Sequence, residues 1–559
     1  MGKNMTYDIC IVGSGAGAAP VAYELSKAGY RVAVLEKGPW FKTADFTKDE
    51  ITAIRRQVYF PHISDEPQVL ETEDIFGDWV AEPSHDFWNG NMVGGSSNLM
   101  SGYFHRLKPV DFKLLSTFGE IPGANIADWP ITYDELEPYY TKVEQIVGVS
   151  GKVVDHDYQE PRSTPGFPYP PLRENIVSRW LDHAAEQLGF QLIPVPRAIL
   201  SRPAKDRDAC YYSNFCGSYG CSSNAKGSAR AALLNVAVET GNCHIIPRAK
   251  VFHLETDGNG SVVKAHYYDR HGNRQHIEAG IFVVAAQAVE TSRLLLMSKN
   301  PEFPGGLANN NGQVGKNLIF SAGGTGSGEL HYADLNPREA EALKEPGVFV
   351  NRALHQWYEF NDPHTGKRIK GGTVDFLFEH ANAIPKALRL KWDKNGHLVF
   401  GKEYKKILKN YFTGMRKIKF EVFADWLPND QCFVSLDPKV KDKWGDPVAR
   451  IRTGYHPHDL KVGKFLAAKA ETLLRKTGAR NVHSNISGGA PSNLQAGGCR
   501  FGNDPATSVL DKNCRAHEVE NLYITDGSFM PTGGSVTYTW TIYANSFRVA
   551  DIILNRLKK

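Results

Sequence analysis

The chain of 559 residues is long enough for several domain-sized units. With 42% hydrophobic and 23% charged residues, its composition is that of an ordinary globular protein and excludes a fibrous or intrinsically disordered one. A net charge of +4 is too small for a protein that binds nucleic acid through bulk charge, and no apolar run approaches the ~18 residues of a membrane-spanning helix.

The N-terminal segment predicts the opening of a parallel βαβ unit. Tyr7–Val12 is a short apolar, β-prone run, residues 21–28 have a helical pattern, and residues 31–35 form a second apolar run. The same order of strand and helix returns later in the chain. Its elements are residues 281–285 followed by 288–298, and a strand beginning at Leu522 followed by a C-terminal helix over 541–557.

A glycine-rich loop joins the first predicted strand to the first predicted helix. The loop, Gly13-Ser14-Gly15-Ala16-Gly17-Ala18, fits the dinucleotide fingerprint G-x-G-x-x-[GA]. The first glycine permits the tight turn, the second lets the backbone approach a pyrophosphate, and the helix N-terminus supplies N–H groups and a positive dipole. Glu36 ends the second strand, where an acidic residue binds the adenosine ribose. FAD and NAD share this fingerprint, so it leaves the cofactor open.

Several longer motifs follow in a fixed order over nearly the whole chain. They are Leu35-Glu36-Lys37-Gly38, Met92-Val93-Gly94-Gly95-Ser96-Ser97-Asn98, the segment 128–140, Val284-Ala285-Ala286-Gln287, Gly497-Gly498-Cys499-Arg500, Asp526-Gly527-Ser528 and Ala544-Asn545. In this order they resemble the glucose–methanol–choline (GMC) oxidoreductases, FAD enzymes that oxidise alcohols and sugars. The resemblance implies an α/β fold with a Rossmann-like FAD-binding domain assembled from discontinuous segments. It also implies an α+β substrate domain with an antiparallel sheet.

We predict five segments from this resemblance and the element pattern. They are residues 1–110 (FAD-binding, with the βαβ unit and the flavin loop), 111–205 (substrate domain or lid), 206–320 (cysteine loop and return to the FAD domain), 321–480 (substrate domain) and 481–559 (C-terminal part of the FAD domain).

The resemblance also implies the FAD-binding residues. Gly94, Gly95 and Asn98 would lie along the flavin and pyrophosphate, Val251 near the adenine and Asp526 near the ribityl chain. The full predicted set is Gly13, Gly15, Ala16, Glu36, Gly94, Gly95, Asn98, Val251, Ala285, Asp526 and Thr537. Some family members attach FAD covalently through a histidine after the paired glycines. Leu99 occupies that position here, which predicts non-covalent FAD.

Three of the eight cysteines lie close together in the sequence. Cys210, Cys216 and Cys221 have the spacing C-x5-C-x4-C without a histidine in the loop, which favours an iron–sulfur cluster over zinc. The gluconate, glucose and fructose dehydrogenases of the family carry a similar loop, in which the gluconate type has a further cysteine at the position of Ser213. Three thiolates suit a 3Fe–4S cluster. The alternatives are a 4Fe–4S cluster with Ser213 as a ligand, and cysteines that are structural or disulfide-bonded.

The usual catalytic pair of the family is missing. Members take the hydroxyl proton with a histidine before the Gly-Gly-Cys turn and an asparagine or histidine further on, while hydride passes to the flavin. Leu494 and Thr537 occupy these positions, and neither is an effective base at neutral pH. The catalytic candidates are Thr537 and Tyr538, with His483 and Gln495 nearby in sequence and His456 and His458 on the substrate side. A substrate that needs no such base, or a degenerate flavoprotein, are the other readings.

The predicted function is an FAD-dependent dehydrogenase that oxidises a hydroxyl group of an alcohol, sugar or polyol. Electrons would leave through the iron–sulfur cluster to a cytochrome c or quinone-linked protein, with a small accessory subunit as a further partner and no nucleic acid. A cluster beside a flavin favours a dehydrogenase over an oxidase, because it passes on single electrons. The alternative is a GMC flavoprotein that serves as a redox relay or subunit of a complex, or acts on an atypical substrate.

A basic stretch, residues 386–419, contains eleven Lys/Arg and two acidic residues. A helix here would place Ile407, Leu408, Tyr411, Phe412, Met415 and Ile418 on one face. The stretch predicts contact with an anionic membrane surface or an acidic partner, or a solvated helix packed on its own domain.

The first residues lead straight into a strand pattern without room for a signal peptide, which predicts a cytoplasmic location. Peripheral membrane attachment, or export beside a partner subunit, are the alternatives.

Overall fold

The structure is a computed structural model that describes residues 7–84, 89–321, 323–347, 349–491 and 493–558. Residues 1–6, on which the expectation about a signal peptide rests, lie outside the described residues. The described strands are β1 (Tyr7–Val12), β2 (Val32–Glu36), β3 (Gln68–Glu73), β4 (Trp79–Ser84), β5 (Leu192–Pro194), β6 (Cys243–Pro247), β7 (Lys250–Thr256), β8 (Val262–Tyr268), β9 (Arg274–Val284), β10 (Leu318–Phe320), β11 (Gly324–His331), β12 (Phe349–Leu354), β13 (Glu359–Asn361), β14 (Arg368–Lys370), β15 (Gly372–Phe378), β16 (Met415–Ala424), β17 (Cys432–Lys441), β18 (Pro447–Thr453), β19 (Arg480–Asn485), β20 (Gln495–Gly497) and β21 (Leu522–Ile524). The described α-helices are α1 (Ala19–Lys27), α2 (Leu114–Phe118), α3 (Tyr133–Val143), α4 (Ile176–Leu188), α5 (Asn235–Glu239), α6 (Ala288–Met297), α7 (Pro337–Lys344), α8 (Ala383–Leu390), α9 (Gly401–Lys409), α10 (Pro457–Lys476) and α11 (Thr539–Leu557).

The first sheet is assembled from distant parts of the chain. β6, β2, β1, the C-terminal half of β9 and β21 are parallel neighbours in that order, and β8 and β7 extend the sheet in antiparallel fashion from the N-terminal half of β9. Ile9 pairs with Val32 on one side and Ile281 on the other, and all three are buried because helices cover both faces of such a sheet. The prediction of a Rossmann-like domain built from discontinuous segments is confirmed.

The second large sheet is antiparallel throughout, in the order β19-β11-β16-β15-β12-β5, as predicted for the substrate domain. One face packs on α10 and α4 through buried side chains that include Phe376, Phe420 and Leu466. Successive residues of a strand point to opposite faces, so Asp375 and Glu421 lie on the other face, away from these helices. That face looks toward the first sheet.

A third sheet joins the N-terminal and C-terminal parts of the chain. Its order is β17-β18-β3-β4, with β3 parallel to β18. The β3–β4 hairpin therefore pairs with residues beyond 430, and β5 pairs with β12 of the antiparallel sheet. Segments that are separate in sequence thus share sheets, and the five predicted segment boundaries stay a prediction.

The basic stretch folds differently from the single helix expected from its apolar periodicity. Helix α9 ends at Lys409, one irregular turn follows, and β16 begins at Met415. Met415 and Ile418 are buried in the antiparallel sheet and share no helix face with Ile407. The helix prediction is wrong from residue 415 onward, because pairing with β11 and β15 outweighs the local pattern.

None of the helices in the described ranges is long and apolar enough to cross a membrane.

Candidate active site

A cavity of about 720 Å³ lies between the parallel and antiparallel sheets. One end is lined by the loop after β1 and by the end of β2, and the other by Thr325 of β11 and Glu421 and Phe423 of β16. The predicted residues that line it are Gly13, Gly15, Ala16, Glu36, Gly95, Val251, Ala285, Leu494, Gln495, Asp526, Thr537 and Tyr538. The tertiary structure therefore brings most of the predicted site into one space.

The turn after β1 requires glycine. Gly13 has a φ of +92°, and a Cβ atom there would lie 2.3 Å from the carbonyl oxygen of Ala285 at the end of β9. Gly17 is equally constrained, since its Cβ would lie 2.6 Å from the Thr525 carbonyl oxygen. The loop is thus pressed against two neighbouring strand ends, and the N-terminus of α1 faces the cavity, as an anion site requires.

The loop over residues 92–99, which we call the flavin loop, is connected by a chain of hydrogen bonds to Glu36 at the end of β2. The backbone N–H of Gly94 donates to Ser14 Oγ at 3.0 Å, and Ser14 Oγ donates to Glu36 Oε2 at 2.5 Å. The N–H of Gly38 donates to the second Glu36 oxygen at 2.8 Å. Burial raises the pKa of Glu36, and these hydrogen bonds oppose that rise. Ser14 is a residue of the fingerprint to which the sequence assigned no role.

Asn98 and Gly94 shape the flavin loop from behind the cavity wall. The Asn98 side-chain amide donates to the carbonyl oxygens of Val93 and Gly95 at 3.0 and 3.1 Å. Gly94 has a φ of +93° and no room for a Cβ atom beside Arg230. Gly95 is the member of this loop that lines the cavity, and a Cβ on it would lie 3.3 Å from the Gly15 backbone.

Asp526 is a fully bonded carboxylate at the cavity edge. One oxygen accepts hydrogen bonds from the N–H and hydroxyl of Ser528, and the other from the N–H of Gln287 and the hydroxyl of Thr291. Gln287 has a φ of +82°, which is strained for a residue with a side chain, and caps helix α6. Asp526 thus holds two chain segments at the site.

The predicted catalytic side chains are constrained by other contacts. The Thr537 hydroxyl donates to the Tyr103 carbonyl oxygen at 3.2 Å, and the Tyr538 hydroxyl donates to the Phe320 carbonyl oxygen at 2.6 Å. Burial, reinforced by Asp425, raises the pKa of Tyr538 well above its usual range. Both features weigh against Tyr538 as a proton acceptor. Leu494 lines the cavity, as expected for the position of the missing histidine.

The other candidates divide between the cavity and the surface. The side chain of Gln495 lines the cavity and bonds Gln287. His483 is exposed on the edge strand β19 and is absent from the described cavity lining. His456 caps helix α10, and its ring accepts a hydrogen bond from the N–H of His458. Neither histidine is among the described residues that line the cavity, so both have a structural role.

Two titratable groups line the cavity near β11 and β16, and no motif in the sequence pointed to either of them. Glu421 is half-buried, lines the cavity and lies directly opposite Asp375 and Thr325 in the sheet register. No hydrogen bond to the Glu421 carboxylate comes from the part of the chain that the structure describes. The Asp375 carboxylate, in contrast, has both oxygens 3.1 Å from His105 Nε2. Cross-strand register, which sequence alone did not provide, puts this pair together.

His380 is the second such group. It lines the cavity, and its Nε2 atom lies 3.4 Å from the Ser101 hydroxyl, while its buried Nδ1 atom has no hydrogen-bond partner among the described residues. Burial, aided by Lys419 and other nearby cations, lowers the pKa of His380 to about 3. The imidazole is therefore neutral at physiological pH.

The three clustered cysteines form no disulfide bond within the described chain, and they pack in one apolar cluster around Leu200 and Phe349. Burial raises the pKa of Cys210 to about 11. Burial also acts on Cys221, but the Lys226 ammonium and several hydrogen bonds outweigh it and lower the pKa of that thiol. The hydroxyl of Ser213 donates to the Phe215 carbonyl oxygen at 3.1 Å within its own turn.

The loop over residues 210–221, which we call the cysteine loop, is attached to the flavin loop. The N–H of Ser218 donates to the Leu99 carbonyl oxygen at 2.9 Å, and Gly217 and Ser218 line the cavity beside Leu99. The buried Lys226 ammonium donates to the carbonyl oxygens of Asn98, Cys216 and Tyr219 at 3.1 to 3.2 Å. Across the described ranges, no carboxylate forms an ion pair with Lys226, so its charge faces the thiols.

The parallel sheet, its glycine turn and the adjoining cavity are those of a dinucleotide-binding protein. Family models for GMC oxidoreductases match residues 80–321 and 428–546 of this chain. The chain belongs to the GMC oxidoreductases and is an enzyme of that FAD-binding family.

Comparison with individual proteins agrees with this assignment. The chain is 32% identical to 2-methyl-1,2-propanediol dehydrogenase of Mycolicibacterium austroafricanum, over 98% of this chain and 95% of the relative. It is 27% identical to the fructose dehydrogenase large subunit of Gluconobacter japonicus, over 100% and 99%. Its fold is similar to that of formate oxidase from Aspergillus oryzae, with a TM-score of 0.68, 15% identity and complete coverage of both chains.

We expect Gly13→Ala to abolish FAD binding, because the added methyl group collides with the Ala285 backbone at the pyrophosphate turn. The bound-flavin absorbance of the purified protein measures this. Gly29→Ala is the matched control, since Gly29 also has a positive φ but nothing within 4 Å of its Cβ position. It carries the backbone strain alone, about 1 kcal/mol, and should keep FAD. Equal flavin content in the two variants would contradict the assignment.

Proposed function

We propose that the protein is an FAD-dependent dehydrogenase that oxidises a hydroxyl group of a small alcohol, polyol or sugar and delivers electrons through an iron–sulfur cluster. The single observation that carries this proposal is the attachment of the cysteine loop to the flavin loop, since Gly217 and Ser218 share the cavity wall with Leu99. Relatives of the chain are named for a diol and for fructose, which supports a hydroxyl substrate.

FAD fits the cavity through residues of this chain. The turn at Gly13 and the N-terminus of α1 suit the pyrophosphate, and Glu36 suits the adenosine ribose. When bound, FAD accepts the hydrogen and electron pair removed from the carbinol carbon. Leu99 has no nucleophilic atom for a covalent bond to the flavin, so the cofactor is held non-covalently.

Glu421 supplies the base that Leu494 cannot. It lines the same cavity as Leu494 and Thr537, and its carboxylate lies close enough to Tyr103 to affect that phenol, whose backbone Thr537 contacts. A base must have an available lone pair within reach of the substrate hydroxyl. The hydroxyl proton passes to the Glu421 carboxylate, and the neighbouring Asp375 stays bound to His105.

The surroundings of Glu421 suit this role. Burial raises the pKa of its carboxyl, Lys419 opposes the rise, and the Asp375 carboxylate opposite adds to it. A raised pKa makes the ionised carboxylate a stronger base. Glu421 is therefore a stronger proton acceptor than His380, whose pKa falls to about 3.

Cys210, Cys216 and Cys221 provide the thiolates for an iron–sulfur cluster. The buried Lys226 ammonium without a carboxylate partner in the described chain favours negative charge on the thiols, because an isolated buried cation is destabilising. Its pKa is lowered by burial, which the nearby thiols oppose. Three ligands favour a 3Fe–4S cluster, since the Ser213 hydroxyl is already bonded to Phe215.

The electron acceptor we propose is a cytochrome c or quinone-linked protein. A small accessory subunit is a further proposed partner. A bound cluster passes single electrons outward, which suits a dehydrogenase.

The substrate class is tested by anaerobic titration of the holoenzyme with diols, polyols and sugars. We expect at least one of them to bleach the flavin, and a one-electron dye to reoxidise it faster than oxygen does. Acid precipitation should release all the FAD, because it is not covalently attached. Bleaching by dithionite but by none of the hydroxyl compounds would contradict the proposal and favour a redox relay. Rapid formation of hydrogen peroxide would favour an oxidase.

The role of Glu421 predicts the effect of Glu421→Gln on turnover. We expect kcat to fall about 100-fold or more, the usual contribution of a general base. In the native enzyme, kcat/KM should fall as pH decreases through the raised Glu421 pKa, because protonation removes the base. Glu421→Asp should keep this acidic limb, and the exposed control Glu403→Gln should change nothing. An acidic limb that survives Glu421→Gln and disappears in His380→Gln would contradict the assignment.

The cysteine loop predicts a metal phenotype that can be read without activity. Cys221→Ser should lose iron and acid-labile sulfide relative to FAD, together with the EPR signal of the oxidised protein. Cys243→Ala, a buried cysteine of β6, is the control and should keep both. A native protein with full FAD content and neither iron nor sulfide would contradict the cluster.

A further inference from the structure

Helices α8 and α9 and the turn between them, residues 383–409, form what we call the basic hairpin. No residue of either helix is buried, although both helices are amphipathic. Trp392 and Phe400 in the turn are 51% and 76% exposed, and Ile384, Leu388 and Leu398 are also exposed. Five large apolar side chains in 17 consecutive residues thus face solvent.

These side chains are arranged on a common surface. Ile384 and Leu388 are four residues apart and occupy one side of α8. Trp392 and Leu398 are antiparallel bridge partners, so their side chains lie on the same face of the turn. Single exposed apolar residues are ordinary, but a contiguous set marks an interaction surface.

The apolar face of α9 points inward instead. Tyr404, Ile407 and Leu408 are half-buried, and the Tyr404 hydroxyl donates to the Ala387 carbonyl oxygen of α8 at 2.7 Å. The opposite side of α9 carries a row of exposed lysines at helical spacing. These are Lys402, Lys405, Lys406 and Lys409.

The hairpin concentrates positive charge beside its apolar surface. Residues 383–409 contain eight Lys/Arg and two acidic residues, so the rest of the chain carries a net charge of −2. Lys386 pairs with Glu379 at 3.1 Å and Lys406 with Glu403 at 3.8 Å. The remaining cations form no ion pair with an acidic residue of the described ranges; they are Arg389, Lys391, Lys394, Lys402, Lys405 and Lys409.

We propose that the basic hairpin docks the enzyme on the surface of an anionic lipid bilayer. The exposed apolar side chains would enter the boundary of the acyl chains, and the cations would contact anionic headgroups. Tryptophan and tyrosine are enriched at that depth, and Trp392 is at the exposed turn. A membrane is favoured over an acidic protein because both helices lack any buried residue, whereas protein hot spots fill recessed pockets.

The base of the hairpin rests on the cysteine loop. The N–H of Ala381 donates to the Asn214 carbonyl oxygen at 3.2 Å, and the Tyr219 hydroxyl donates to Asn382 Oδ1 at 2.8 Å. Docking through the hairpin would therefore hold the cysteine loop near the lipid surface. The docking proposal itself does not depend on the proposed reaction, because lipid binding needs no turnover.

The test is flotation of the holoenzyme with vesicles of phosphatidylcholine alone or mixed with phosphatidylglycerol. We expect binding to the anionic vesicles, weakened by salt, and little binding to phosphatidylcholine. Lys402→Glu/Lys405→Glu and Trp392→Ser/Phe400→Ser should each reduce the partition constant more than tenfold. FAD content and dye-linked turnover in solution should be unchanged.

Ile75→Ser/Phe76→Ser is the matched control, because this pair is 93% and 81% exposed at the β3–β4 turn beside acidic residues. It removes a similar apolar area and should leave vesicle binding intact. Trp392→Phe should still bind, and it should lose the fluorescence quenching that brominated lipids cause in the native enzyme.

Three results would overturn the proposal. They are no binding to vesicles of either composition, binding that the hairpin variants leave unchanged, and hairpin-dependent binding to an acidic protein without binding to lipid.

Discussion

A buried ammonium group ties together the two loops on which the proposed function depends. Among the described residues, Lys226 donates to three backbone carbonyl oxygens, two from the cysteine loop and one from the flavin loop at Asn98. A buried charge that meets no carboxylate in the described structure needs negative charge nearby, and the thiols are the groups that can supply it. The cation thus fixes the distance between the cysteine loop and the flavin loop and favours thiolate at Cys221.

In the proposed mechanism, the family frame is retained and the catalytic base lies on another element. By the resemblance, Leu494 and Thr537 stand at the positions of the usual catalytic pair. Both line the cavity, and neither offers a base. The antiparallel sheet brings Glu421 to the same cavity from the opposite wall, in register with Asp375. A carboxylate on a strand is rigidly positioned, and its burial strengthens it as a base, so a sheet can replace the loop that normally carries histidine.

The proposed electron route would run through loops that contact one another. The cysteine loop contacts the flavin loop on one side and Asn382 at the base of the basic hairpin on the other. In the proposed function, substrate oxidation, electron exit and lipid contact would therefore lie along one continuous set of loops rather than on separate domains. The segment after β15 carries both His380, which lines the cavity, and the exposed basic hairpin.

Short motifs predict the dinucleotide fold and most residues at the end of the cavity formed by the loop after β1 and the end of β2. Gly13, Gly15 and Glu36 are local signals, since a tight turn, a close backbone approach and a strand-end acid are each set by residues near in sequence. The cysteine spacing was equally local. Long motifs predict Asp526 as a cofactor-binding residue, and the residue lines the cavity, while its role toward FAD stays a prediction. The sequence did not reveal that its carboxylate already accepts four hydrogen bonds.

The residues at the opposite end of the cavity, by contrast, come together through the tertiary fold. Glu421 and His380 have no distinguishing neighbours in sequence, and their meeting with the flavin loop depends on long-range strand pairing. The same cause explains the wrong helix prediction at Met415 and Ile418, where pairing with two strands overrides an apolar period that local sequence favours. Local backbone requirements are written in short motifs, whereas cross-strand register and burial arise from contacts between residues far apart in the chain.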